Sequence, residues 1–463
     1  RNEIIFSKRT MFFKLFLVIS LVFCGALSVS CEEIVASEEI ASKRRNLLEP
    51  QMDLPSFEEN TGLSFNRAGK KLSSFERMFW QHAGKNLKIV EKIDFSREKT
   101  DIGTIWLPLE LGGMYLADGP YVKMCLMDYN VYRNAPWDLP MYKFIFTKQC
   151  LTKTAVEEDR TLIVKLSSIM DQIKDAPRLK IGGFIFHDTR CGSTLVANQI
   201  AVLPQNRVFS ESRPPTQCLR AYLKNQMLDP RKPDLMMTRE MFEECINGVM
   251  ALFSRSRENE TQQQIFIKFQ NSRFAPQLTE IFNDVPWVYL FRDPVEVMVS
   301  NIGRGETGGP CVREGLAAAQ KLPDDQKEWL IRAKSMKSGD RGADHELMEK
   351  LSMICASWLL EMDEAARTAY QSNPSKGVFI DYNRLPNAVP DFLYTKHFKV
   401  DLSVAENWQE IMESATNHYS KKSKKDISKP DIELKHKNAP PEVVKAANET
   451  LYPSYKELSE RVP

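Results

Sequence analysis

From residue 179 onward, short apolar runs alternate with longer stretches of helical period. The run at 181–186 ends in a Gly-containing turn and is followed by a helix over 195–203. Residues 208–209 predict a short strand, and 217–256 a long polar helical stretch. A strand at 265–267 precedes a helix carrying Leu278, Ile281 and Phe282. A further strand at 287–291 leads into a helix that starts at Pro294, and 378–380 predicts another strand. Uninterrupted apolar strands separated by helices mean a parallel sheet covered on both faces, an α/β fold. Residues 303–345 are rich in Gly and charge and predict a mobile loop with a helix in it. Residues 420–440 combine many lysines with two prolines and predict an exposed segment.

The pattern upstream is different. Residues 76–150 are aromatic-rich with scattered Gly and Pro, and 121–127 and 141–146 have strand-like composition. Over 154–175, Leu162, Ile163, Leu166, Ile169, Met170 and Ile173 share one face of an amphipathic helix. The expected organisation is an N-terminal β-rich addition with a linking helix at 76–178, followed by one α/β domain at 179–463. Residues 31–75 are polar and mixed in charge, which suits a flexible stalk.

Before the stalk, Met11 and Lys14 precede an apolar run from Leu15 to Leu27, and small residues follow at 26–30. This is the pattern of a secretory signal at 11–30, and the run is shorter than the roughly 20 residues of a membrane span. A cleaved signal peptide and an uncleaved anchor both place the protein on the secretory route, in the endoplasmic reticulum or Golgi lumen or outside the cell. Eight of the nine cysteines lie beyond the signal, and in an oxidising compartment some could pair. None has the spacing of a zinc site, so no structural metal is expected. Asn259 and Asn448 each head an acceptor tripeptide for glycosylation. A net charge of +2 gives no global attraction to nucleic acid or membrane, so any basic site is local.

Two segments carry the candidate chemistry. In His187-Asp188-Thr189-Arg190-Cys191-Gly192-Ser193-Thr194, a glycine turn joins a strand to a helix. Backbone N–H groups there can face an anion, the helix N-terminus adds positive potential, and Ser193 and Thr194 add hydroxyls. The loop lacks the lysine of a Walker A sequence, which argues against an ATPase. Arg190 offers a bidentate charge in its place. The second segment is Phe291-Arg292-Asp293-Pro294-Val295-Glu296-Val297-Met298-Val299-Ser300. Asp293 as an N-cap and Pro294 at the first helical position need no ligand. Arg292, at the end of a buried strand, does need a partner, and a phosphate is a natural one. Ser300 could add a hydroxyl two turns along.

Together the two segments resemble those of the P-loop sulfotransferase superfamily. TRCGSTLVAN is similar to its 5′-phosphosulfate loop and FRDPVEVMVS to its 3′-phosphate segment, within a likeness spanning about 181–455. Arg190 stands where cytosolic members carry Lys, as in the protein-tyrosine and several bacterial sulfotransferases. The resemblance implies a three-layer P-loop fold around a central parallel sheet. It also implies transfer of a sulfonate group from 3′-phosphoadenosine 5′-phosphosulfate to a hydroxyl acceptor, without a metal. The donor would lie on Arg190, Cys191, Gly192, Ser193, Thr194, Arg292 and Ser300.

Glu211, 21 residues after Arg190, resembles in placement the base of the protein-tyrosine branch. It could equally pair with Arg213, and His187 is a competing base. Lys268 resembles the family's cation on the leaving oxygen, and is otherwise a strand-end lysine with its amine in solvent. Asp381 and Tyr382 correspond to a structural segment of the superfamily. Lys421, Lys422, Lys424 and Lys425 could meet a 3′-phosphate or simply be solvated. The sequence leaves open a sugar, protein-tyrosine or small-molecule acceptor. A nucleotide kinase or NTPase, which would need a phosphate-loop lysine and Mg²⁺ ligands, and a non-catalytic nucleotide-binding protein are the competing functions.

Overall fold

A computed structural model of the chain describes residues 78–82, 85–99, 103–114, 119–226, 237–257, 260–303, 309–319, 344–417 and 432–463. The signal segment at 11–30, the stalk at 31–75, Asn259 and the lysines at 421–425 lie outside the described residues. The N-terminal part forms a four-stranded sheet from β1 (Ile89–Val90), β2 (Thr104–Gly112), β3 (Tyr121–Asp128) and β4 (Thr161–Lys165), in the order β1-β4-β3-β2. β2 and β4 run antiparallel to β3, and β1 runs parallel to β4.

Two expectations for this part are corrected. Residues 141–146 are not a strand: α1 (Tyr142–Gln149) occupies them, with Tyr142, Ile145 and Phe146 buried at helical spacing. The five-residue alternation that suggested a strand was too short to separate the two periods. The single helix expected over 154–175 is instead a short helix (Lys153–Glu157), then β4, then α2 (Leu166–Gln172). Leu162, Ile163 and Val164 are buried in β4 by pairing with β3, so tertiary pairing outweighs the helical spacing of the apolar residues. The segment is therefore as helical as it is stranded. It does not stand apart as an addition either, because one continuous apolar core joins Trp106, Leu107 and Met124 to Phe209, Phe253 and Trp287.

The second sheet is built from β5 (Lys180–His187), β6 (Asn206–Ser210), β7 (Gln264–Lys268), β8 (Trp287–Phe291) and β9 (Gly377–Asp381). All pairings are parallel, in the order β9-β8-β5-β7-β6, with the first of the five strands in the middle. β6, β7 and β8 are buried along their whole length, as both-face covering requires. The chain leaves β5 toward β7 and β6, and later strands add on the other side through β8 and β9. The loop after β5 thus sits at a topological switch point, where open α/β sheets bind ligands.

Helices fill the space around this sheet: α3 (Ser193–Ala201), α4 (Arg213–Gln226), α5 (Arg239–Ser254), α6 (Ala275–Ile281), α7 (Pro294–Ile302) and α8 (Pro310–Ala319). The polar stretch expected over 217–256 is therefore two helices, α4 and α5. A 28-residue helix, α9 (His345–Ser372), packs on α6, α7 and α8, and the sequence pattern did not predict it. Near the C-terminus, α10 (Trp408–Thr416) packs on α3, and α11 (Tyr452–Ser459) closes the chain. Disulfides join Cys125 to Cys150, Cys218 to Cys245 and Cys311 to Cys355, tying β3 to the end of α1, α4 to α5, and α8 to α9.

One edge of each sheet is met by a side chain. β6 is an edge strand, and the Tyr129 hydroxyl accepts from Val208 N at 2.6 Å and donates to Val208 O at 3.1 Å. β2 is an edge of the N-terminal sheet, and Gln217 of α4 accepts from Leu111 N at 2.8 Å and donates to Leu111 O at 2.9 Å. Each contact satisfies backbone groups that would otherwise be open to a further strand. Both also press the N-terminal part against the segment that carries Glu211.

Candidate active site at the C-terminal edge of the parallel sheet

Glu211, Lys268, the 188–194 loop and Arg292 all follow the C-terminal ends of neighbouring parallel strands. Lys268 ends β7 with its side chain fully buried. Its Nζ donates to Glu211 Oε1 at 2.8 Å, to Thr194 Oγ1 at 3.2 Å and to Ser210 Oγ at 3.5 Å. One ammonium thus joins the ends of β6 and β7 to the first turn of α3. The strand-end lysine with its amine in solvent, left open by the sequence, is not what the structure has. Glu211 is also held through its backbone, its N–H donating to Lys268 O at 2.8 Å.

Arg213 does not pair with Glu211. It forms an ion pair with Glu110 of β2, whose other oxygen receives Lys123 Nζ at 3.2 Å. Burial pushes the Lys123 ammonium down to about 7. Glu110 follows an irregularity in the β2–β3 register, and no sequence signal marked it.

The loop between β5 and α3 has an unusual backbone. Arg190 and Gly192 have φ of +70° and +84°, and Glu211 has φ of +57°. Positive φ is uncommon and costly for residues with a Cβ, and such strain concentrates where a chain is held for function. Gly192 is the N-cap of α3 and offers no side-chain cap; Leu195 N donates to Gly192 O at 2.9 Å, and the Ser193 and Thr194 amides ahead of it can face an anion. A Cβ at Gly192 would lie 2.8 Å from Leu385 Cδ1 and 2.9 Å from Tyr382 Cδ2. Cys191 turns its thiol inward, donating from Sγ to Asp188 O at 2.8 Å, so only its backbone is available to a ligand. Ser193 and Thr194 are buried, and Arg190 is half-buried.

Arg292 meets its need for a partner within the chain. It forms an ion pair with Glu296 one turn along α7, and its guanidinium lies 3.9 Å from the Tyr382 ring centroid. Its Nη1 also donates to Arg190 O at 3.5 Å. Tyr382 therefore touches both segments, packing under Gly192 and stacking on Arg292. The structural place that the sequence assigns to Tyr382 is specified by this contact. Asp293 caps α7 through Glu296 N at 3.2 Å and accepts from the Tyr452 hydroxyl at 2.7 Å. His436 Nε2 lies 3.2 Å from Asp293 Oδ1 and 3.8 Å from Glu296 Oε1. Both carboxylates are already engaged, by Tyr452 and Arg292 respectively, and no metal role is assigned to the three. Ser300 lies half-buried two turns into α7, next to Asn301, whose Oδ1 accepts from Thr189 Oγ1 at 3.5 Å.

His187 is placed to orient the loop. Its Nδ1 donates to Asp188 O at 2.6 Å, and its backbone N–H and C=O are both bound by the Ser272 hydroxyl, at 2.7 and 2.9 Å. The Nδ1 contact fixes the tautomer with its proton on Nδ1, which makes Nε2 the basic nitrogen of the ring.

No protein-family model matches the chain, and no curated protein matches it in sequence. Among solved structures, the fold is similar to the sulfotransferase STF9 from Mycobacterium avium. That match has 10% identity and a TM-score of 0.34, covering 64% of this chain and 85% of that one. It is also similar to the sulfotransferase STF1 from Mycobacterium tuberculosis H37Rv, with 13% identity and a TM-score of 0.31, covering 55% of this chain and 78% of that one. At these scores the likeness carries no argument for function, which rests on the site itself.

Proposed function

We propose that this protein is a sulfotransferase that moves a sulfonate group from 3′-phosphoadenosine 5′-phosphosulfate to a hydroxyl acceptor in the secretory pathway. The observation that carries the proposal is the contact set of Lys268. One buried ammonium touches the candidate base Glu211 and the phosphate-loop hydroxyl of Thr194 together. A base for the acceptor after β6 and a cradle for the donor after β5 are thereby joined through the end of β7, the strand between them.

In this reading the amides at Gly192, Ser193 and Thr194 receive the donor's phosphosulfate, and Arg292 with Ser300 serves its 3′-phosphate. The acceptor oxygen attacks sulfur in line. The new O–S bond forms as the bridging S–O bond breaks, and the electron pair of that bond leaves on the 5′-phosphate. Glu211 takes the acceptor's proton. Lys268 and Arg190 meet the charge that grows on the leaving oxygen, the kind of preorganised stabilisation that lowers a charged transition state most. Lys268 also supplies the positive neighbour that favours an ionised carboxylate at Glu211, the form a base requires. Arg292 gives its face to Tyr382 and one edge to Glu296, so a phosphate there would share the guanidinium with Glu296.

The secretory part is supported by the signal-like segment at 11–30, by three disulfides and by the exposure of Asn448. The acceptor class is not narrowed by these residues.

Calorimetry with 3′-phosphoadenosine 5′-phosphate in the presence of a chelator tests the donor site. Metal-independent binding is expected, with Arg292→Ala at least tenfold weaker, since a charge-assisted hydrogen bond is worth roughly 1.5–3 kcal/mol. Preference for ATP with a Mg²⁺ requirement would favour a kinase or NTPase instead.

A further inference from the structure

Asp188 directly follows β5 and begins the phosphate loop, and its carboxyl lies inside the protein. The Tyr289 hydroxyl of β8 is 2.7 Å from Asp188 Oδ1 and 2.8 Å from Asp363 Oδ1 of α9. The other Asp363 oxygen, Oδ2, accepts from the Ser454 hydroxyl of α11 at 2.8 Å. Tyr289 is fully buried, and Asp188, Asp363 and Ser454 are each at most 6% exposed.

A phenol has one proton and can donate it to only one of the two carboxyl oxygens. If both carboxyls were ionised, the second short contact would set lone pair against lone pair in the low-dielectric interior. The count closes when one carboxyl keeps its proton and donates it to the phenol oxygen.

The surrounding charges do not remove the need for that proton. On α9, Arg367 acts on Asp363, but it is ion-paired to Glu457 of α11, and Glu364 opposes it. Arg292 of the second segment shares with both carboxyls a cavity of about 10 Å³, and it is paired to Glu296. That volume is roughly the room one water needs. Tyr455 lines the same cavity and donates its hydroxyl to Asp381 Oδ2 at 2.7 Å.

We propose that Asp188 and Asp363 share one proton across the Tyr289 hydroxyl, and that this proton positions the phosphate loop. The cluster fastens the start of the loop to the strand that delivers Arg292, and to α9 and α11. Movement of Asp188 reaches the loop directly, because its carbonyl accepts from both Cys191 Sγ and His187 Nδ1. These are positioning residues and need not touch either substrate.

Burial raises both carboxyls, Asp188 well above its ordinary value and Asp363 to about 6. An acid raised in the folded state stabilises the fold fully below its unfolded value, near 4. That stabilisation is lost as pH rises from the unfolded value through the folded values, from about pH 4 to about 6 for Asp363 and on to higher pH for Asp188.

Two measurements on ligand-free protein test this independently of the donor. In wild type labelled with ¹³C at Asp carboxyls, at least one resonance is expected to titrate above pH 6 and to vanish in Asp188→Asn or Asp363→Asn. The amide of Asp363→Asn can donate to the phenol and accept from Ser454, so that variant keeps the contacts without the proton. Its melting temperature should fall less than that of wild type between pH 4 and 9. A third measurement rests on the proposed donor site. The affinity of wild type for 3′-phosphoadenosine 5′-phosphate, divided by that of Asp363→Asn, should fall about tenfold over the same range. Taking the ratio cancels the titration of the ligand itself. Asp carboxyls that all titrate below pH 5, or parallel melting curves in the two proteins, overturn the shared proton. A flat affinity ratio with the first two results intact overturns the positioning role, whereas no binding by either protein counts against the donor site.

Discussion

Replacing Glu211 with Gln is expected to lower turnover with a hydroxyl acceptor by about 10²–10⁴-fold, the usual contribution of a positioned base. Affinity for 3′-phosphoadenosine 5′-phosphate should stay close to that of wild type. Gln is isosteric, and its oxygen can still accept from Lys268 Nζ, which lies 2.8 Å from Glu211 Oε1. The backbone N–H to Lys268 O is also unaffected. What the amide cannot do is take a proton. Single-turnover kinetics beside calorimetry separate the two effects, since a base acts in the chemical step and leaves donor binding alone. Turnover near wild type would place the base elsewhere. His187 would then be tested, with Nε2 as the basic nitrogen, since Nδ1 donates to Asp188 O.

Lys268→Met should reduce turnover by about 10²–10³-fold, the loss seen when one preorganised donor to a developing charge is removed. Like Glu211→Gln, which leaves the fully buried ammonium without its carboxylate, it should also lower the melting temperature. The lysine side chain is fully buried and its partner Glu211 is 14% exposed. Removing the cation takes from a mostly desolvated carboxylate the charge 2.8 Å from its Oε1. The double variant Lys268→Met/Glu211→Gln removes that carboxylate as well. It should recover part of the lost melting temperature and none of the lost turnover. Unchanged stability in Lys268→Met, or turnover restored in the double variant, would contradict the role given to this pair.

The parallel sheet was legible because its strands are apolar on both faces and short, and each ends at a turn or a charge. That held for the strands around 181–186, 208–209, 265–267, 287–291 and 378–380. The N-terminal part was not legible in the same way. Leu162 to Val164 satisfy a helical face and a buried strand equally, and only pairing with β3 decides between them. Residues 142–149 form a helix whose apolar positions also alternate over a few residues.

In the site, residue types at strand ends identified Lys268, Glu211 and Arg292, but not their partners. That Glu110 takes Arg213, Glu296 takes Arg292 and Tyr382 lies under Gly192 depends on which loops meet. Of these, Arg292–Glu296 had a sequence signal, the i,i+4 spacing on a helix. Asp188 also had one. A carboxylate ending a buried strand must find a donor, and nothing in the local sequence says that it is Tyr289, 101 residues away.

The central claim is that the chain transfers a sulfonate group. Its most direct test is incubation of the purified protein with ³⁵S-labelled 3′-phosphoadenosine 5′-phosphosulfate and chelator, against sugars, tyrosine-containing peptides and small alcohols and phenols. Label should pass to a hydroxyl of at least one class with stoichiometric release of 3′-phosphoadenosine 5′-phosphate, and Glu211→Gln should abolish most of that transfer. Tight binding of the bisphosphate without transfer to any of these acceptors would contradict the account and leave a non-catalytic nucleotide-binding protein.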